Sequence, residues 1–177
     1  MKPVDDTPDS PGAEDPVGQL RNTIQVALTA IDELTANRFR LHSVAAVELL
    51  VGTALKESGG LRWRRQLNHG PARGLFQMEG ATYDDIWRNY LAFRPVLAEA
   101  IRSAFTPAGG ELTFEQITDD DAYAAVMARL KYLRVPAPLP PAGDVQAQAK
   151  YWKDHYNTKL GKGTVASYVE TWTTYTA

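Results

Sequence analysis

The chain has 177 residues, 19 basic and 21 acidic side chains for a formal charge of −2, 44% hydrophobic residues and no cysteine. Folding at this length buries roughly two-thirds of the unfolded surface, enough for one core without a metal or a disulfide. The missing cysteines exclude a disulfide framework and a thiolate zinc site, and His42, His69 and His155 are too scattered to suggest an imidazole cluster, so no cofactor is expected.

The first sixteen residues, MKPVDDTPDSPGAEDP, hold four prolines and five acids against one lysine, without an apolar period. Such composition predicts a disordered arm, and we divide the chain into an acidic arm over 1–17 and a single folded domain over 18–177. Without those sixteen residues, 18 bases face 16 acids, so the folded part is mildly basic. Its apolar stretches fall short of the ~20 residues that span a bilayer, and the N-terminus lacks a secretory charged-then-apolar pattern. No membrane insertion and no signal peptide are expected.

From Leu20 the residues Ile24, Ala27, Leu28, Ile31 and Leu34 recur at helical spacing, with Asn37 as terminator. Ser43 is suited to cap a second helix carrying Ala46, Val47, Leu50, Ala54 and Leu55, which Gly59 and Gly60 stop. LRWRRQLNHGPARG (61–74) reads as a long turn. TYDDIWRNYLAF (82–93) reads as a helix with Asp84 and Asp85 in its first turn, closed by the extended preference before Pro95. Pro95 opens PVLAEAIRSAF (95–105). DDDAYAAVMARLKYLR (119–134), DVQAQAKYWKDHY (144–156) and TVASYVETWTTY (164–175) complete the helices. VPAPLPP (135–141) is a stiff connection. Alternating strand patterns are nearly absent, so the fold class is mainly α with little or no sheet.

Glu57 is the informative residue. It lies three residues after Ala54 and seven after Leu50, which puts its carboxylate on the apolar stripe. Burial and the negative end of the helix dipole both raise the pKa of such a group and suit it to act as a general acid. The competing reading is a frayed helix end with Glu57 in water. In NHGPARGLFQME, Gly70 and Gly74 let backbone approach a ligand, and Gln77 offers a donor and an acceptor for a sugar N-acetyl group; alternatively Gln77 is tied to backbone.

ALKESGG followed by GPARGLFQME resembles the Glu-Ser and Gly-Leu-Met-Gln motifs of the soluble lytic transglycosylase and goose-type lysozyme superfamily, with Phe76 where Met is common. AYAAVMARLKYLR is similar to the family's Ala-rich helix ending in Tyr-Leu, and DHYNTKLGKGTVASYV to its Tyr-Asn motif followed by glycines and a helix. The four pieces arrive in order over residues 43–172. Thr158, Lys159, Leu160 and Gly161 depart from the Ala-Gly that often follows Tyr-Asn.

The resemblance implies a lysozyme-like helical domain that cleaves peptidoglycan glycan strands. Glu57 is then acid and base in turn, protonating the glycosidic oxygen and later deprotonating the muramic C6 hydroxyl. Ser58 positions the sugar or the Glu57 carboxylate, or else caps the helix end. Gln77 contacts glycan, and Tyr156 orients Glu57 unless it is a packing tyrosine; Asn157 supports it or forms a turn. A two-carboxylate hydrolase needs a second acid, and between Glu57 and Asp84 the chain offers Glu79 alone. One carboxylate favours internal attack and a 1,6-anhydro product, while Glu79 keeps a muramidase open. Trp63 is placed to stack on a sugar and Arg62, Arg64, Arg65 and Arg73 to meet peptidoglycan carboxylates, the alternative being a solvated basic face.

Nucleic acid is not an expected partner, given a pI of about 5.9 and no aromatic-basic stripe. RQLNHGPARGLFQMEGATYDDIW is similar to small proteins encoded with phage virion genes. That likeness implies a virion-associated protein reaching the host periplasm at genome entry, with other virion subunits as partners. The rivals are a catalytically inert lysozyme-fold subunit of the particle and a soluble endolysin.

Overall fold

The computed structural model describes residues 15–157 and 161–177. The arm over 1–14 and the departure at Thr158, Lys159 and Leu160 lie outside the described residues. Seven α-helices follow in chain order: α1 (Pro16–Leu34), α2 (Val44–Glu57), α3 (Gly80–Asn89), α4 (Pro95–Phe105), α5 (Asp121–Leu133), α6 (Val145–Trp152) and α7 (Val165–Thr176). No sheet forms among the described residues, where only isolated bridges join Arg65 to Arg73 and Arg73 to Met78. No described helix is long and apolar enough to cross a membrane.

Side-chain caps set most of the helix starts. Ser43 accepts from Ala46 N at 3.0 Å, Asp120 from Tyr123 N at 2.9 Å and Asp144 from Ala147 N at 2.9 Å, while Thr164 and Ser167 form a reciprocal capping box. Asp15 accepts from Gly18 N, so Pro16 and Val17, which composition assigned to the arm, belong to α1, with Pro16 in the first turn where its missing N–H costs nothing. α3 begins at Gly80 rather than Thr82, because Glu79 is the extended residue before it. Asp84 and Asp85 therefore miss the first turn, and Asp85 instead pairs with Arg134 at 2.6 Å. α3 also ends before Phe93: Tyr90 leaves helical geometry, and Leu91–Phe93 form a 3₁₀ turn that buries Leu91.

Two helices are buried on nearly every side, the pattern of a helix with no solvent face. They are α2, from Ala46 to Leu55 except Glu48, and α5, from Tyr123 to Leu130. α1 packs on both of them, α7 and α6 cover α2, and α3 flanks α5. The buried carboxylate of Asp32 accepts from Leu41 N at 2.7 Å and His42 N at 2.8 Å, and Arg129 Nε donates to Leu41 O at 2.8 Å. These bonds fix the entry to α2. Nearer its other end, the buried Thr53 Oγ1 and Tyr132 OH lie 2.7 Å apart, locking α2 to α5 one turn before Glu57. Gly59 and Gly60 then take φ of 63° and 76°, and Gly60 N donates to Leu55 O at 2.8 Å, the left-handed termination that turns the chain away and leaves Glu57 at the helix end.

Candidate active site

Glu57 is the last residue of α2, at the edge of a groove of about 1000 Å³ whose walls come from the turn after α2, Gln77–Glu79, the end of α5 and the segment after α6. Its carboxylate is not frayed into water. Trp152, at the end of α6 and 1% exposed, donates from Nε1 to Glu57 Oε1 at 2.8 Å. Burial pushes the Glu57 carboxyl above its ordinary value of 4.5, against the opposing pull of the Trp152 indole, the Lys131 and Lys56 ammonium groups and the Asn157 side chain. A carboxyl held this way keeps its proton to higher pH than a surface glutamate and has a donor ready for the anion it becomes.

α6 passes into a single π-helical turn, Lys153–Asn157. The wider turn brings Tyr156 inward and Asn157 to the groove. Lys153 Nζ holds the turn closed by donating to Asn157 Oδ1 and to Gly161 O, both at 2.8 Å. Asn157 thus serves both the turn and the Glu57 carboxylate.

Several residues singled out in the sequence stand differently. The Tyr156 hydroxyl donates to Phe76 O at 2.8 Å and not to Glu57; the donor to Glu57 is Trp152, one helical turn earlier. Phe76 is 1% exposed, so its ring belongs to the core and it contributes its carbonyl as the anchor for Tyr156. Ser58 is fully buried. It donates to Ala54 O at 2.6 Å and accepts from Leu61 N at 2.8 Å, which makes it a helix-terminating hydroxyl without access to a sugar.

Gln77 does border the groove, at φ 44°. Its Nε2 donates to Gly74 O at 2.9 Å and to Trp63 O at 3.4 Å, so the amide hydrogens are tied to backbone, as the alternative reading had it, and what the side chain has left to offer is its oxygen as an acceptor. Gly74, at φ 71°, serves packing: a Cβ there would lie 2.3 Å from Ile117 O.

Trp63 is 47% exposed and forms part of the groove wall. The arginines around it are engaged elsewhere. Arg64 makes a bidentate pair with Asp121, at 2.5 and 2.8 Å, and Arg65 and Arg73 both pair with Glu115. Arg62 is exposed, and Arg65 stays more than half exposed within its pair. The cations that border the groove are instead Lys56, Lys131 and Lys162. Glu79 is a second carboxylate on the same groove, exposed at the start of α3.

Comparison with protein-family models, curated proteins and solved structures gave no match. Trp152 and Lys131 escaped the sequence reading, although signals exist. Trp152 precedes Tyr156 by four residues, so a helix puts both on one face, and Lys131 is the one ammonium on a helix otherwise buried nearly all round.

Proposed function

We propose that the protein is a peptidoglycan-cleaving lytic transglycosylase with Glu57 as its acid and base. The observation that carries this is the pairing of a proton-retaining carboxyl, on the wall of an extended groove, with a fixed indole donor on one of its oxygens. Glu57 gives its proton to the oxygen of the MurNAc–GlcNAc β-1,4 bond as the bond from C1 breaks. The Trp152 N–H and the Lys131 charge stabilise the resulting carboxylate. That carboxylate then takes the proton of the muramic C6 hydroxyl while O6 bonds to C1, giving 1,6-anhydroMurNAc. Trp63 supplies an aromatic face and Gln77 an acceptor for the N-acetyl N–H. A virion-associated protein acting in the host periplasm remains the setting that the sequence resemblance implies.

Glu79 on the same groove favours one second reading, a muramidase in which it holds the attacking water. Mass spectrometry of muropeptides released from purified peptidoglycan tests both. Wild type should release anhydro-muramic products, and Glu57→Gln should lose at least ~100-fold of that activity, the scale of a lost general acid. Reducing-end products point to the hydrolase. Products undiminished in Glu57→Gln remove Glu57 as the acid and base, and no product from either protein favours the structural subunit.

A further inference from the structure

Lys131 occupies the last turn of α5, beside Tyr132, whose bond to Thr53 fixes α5 against α2. Its Nζ donates to Tyr156 O at 2.9 Å and stands 3.8 Å from the centroid of the Tyr156 ring. A carbonyl dipole and a ring face both hold an ammonium in place without neutralising it. Burial pulls the Lys131 ammonium below its ordinary value of 10.5, and the neighbouring carboxylates, Glu57 before Glu79, push it back up; both groups border the same groove.

We propose that Lys131 is a positioning residue that acts through Glu57: anchored on Tyr156 where α5 meets the π-helical turn, its ammonium is the fixed positive charge against which the Glu57 carboxylate loses and regains its proton. This rests on the reading of Glu57 as acid and base. Burial favours the protonated form of Glu57 and disfavours the carboxylate that each turnover must form. Lys131 opposes that penalty at a fixed point.

Among the described residues, the other titratable and charged groups facing Glu57 are Lys56 of α2, the buried and neutral Tyr132 of α5, Glu79 before α3, Tyr156 of the π-helical turn and Lys162 before α7. Lys56 acts on Glu57 more weakly than Lys131 does. Lys162 is exposed, and its charge is screened by water and salt. Tyr156 is held neutral, its hydroxyl pushed well above the usual range by burial and by Glu57.

The test is a ¹³C NMR titration of the Glu57 side-chain carboxyl in wild type, Lys131→Met and Lys131→Arg. The signal is assigned by its loss in Glu57→Gln, and the pH profile of kcat/KM on peptidoglycan is recorded alongside. Lys131→Met should move the Glu57 midpoint and the basic limb of the profile upward, and Lys131→Arg should keep both near wild type. An unmoved midpoint in folded Lys131→Met overturns the proposal.

A reciprocal titration does not depend on that variant folding. The Lys131 ¹³Cε midpoint should fall in Glu57→Gln, and constancy there overturns the proposal equally. A Glu57 midpoint that moves in a protein without glycan cleavage upholds the coupling while removing the enzymatic reading. Cleavage with an unmoved midpoint does the reverse.

Discussion

The indole N–H of Trp152 meets Glu57 Oε1 at 2.8 Å across 95 residues of sequence, joining the end of α6 to the end of α2. One oxygen of the carboxylate is thereby fixed at the edge of the groove.

Trp152→Phe keeps most of the ring and removes this donor. A hydrogen bond to a charged group is worth about 1.5–3 kcal/mol, so the variant should lose stability of that order where Glu57 is ionised and less where it is protonated. Urea unfolding of both proteins on either side of the Glu57 midpoint checks this. An equal loss at both pH values would mean that the indole matters only for packing.

Glu57→Gln should be the more stable protein near neutrality. The folded carboxyl titrates above 4.5 and the unfolded one at that value, so the native state binds the proton more tightly. Its contribution is fully present below pH 4.5 and is lost as pH rises through the folded midpoint. Glutamine cannot ionise and escapes that loss. The difference in unfolding midpoint between the two proteins should therefore open with rising pH and close in acid.

Tyr156→Phe separates anchoring from proton chemistry. It leaves the Phe76 carbonyl without its buried donor, an omission that costs about 1–3 kcal/mol. Since the hydroxyl does not bond Glu57, the Glu57 midpoint should stay where it is. A moved midpoint would return Tyr156 to the orienting role that its Tyr-Asn motif implies.

Behind the site, α2 and α7 meet at Gly52 and Tyr168. A Cβ at Gly52 would fall 1.9 Å from the Tyr168 hydroxyl, a group that is buried without a hydrogen-bond partner among the described residues. Gly52→Ala should cost about 1–3 kcal/mol by overpacking. Tyr168→Phe should be neutral or stabilising, and in the double variant should recover most of the loss, a coupling that thermal unfolding of the four proteins measures.

The helices were legible because their signals are local. Apolar residues at 20, 24, 28 and 31, the cap at Ser43 and the proline at 95 act within a few residues of themselves, and α1, α2 and α4 follow them closely; the caps at Asp120, Asp144 and Thr164, seen in the structure, are equally local. α3 shifted because Glu79, with no capping side-chain bond, gave no signal of a helix start, and α6 ended early because the π-helical turn is closed by Lys153 reaching Gly161. Glu57 could be read from its own helix, since its place on the apolar stripe is a matter of spacing along α2.

Most of its surroundings could not be. Asn157 came only through the Tyr-Asn resemblance, Trp152 and Lys131 converge on Glu57 from the far ends of other elements, and three of the arginines near Trp63 were taken up by Asp121 and Glu115, choices made by the packing of α5 and its preceding turn. Sequence by itself determined a mainly helical chain with one carboxyl on an apolar stripe at a helix end, because periodicity, capping and glycine termination are short-range. The tertiary structure decided what that carboxyl meets, because burial, the indole bond and the neighbouring ammonium are set by which helices pack against which.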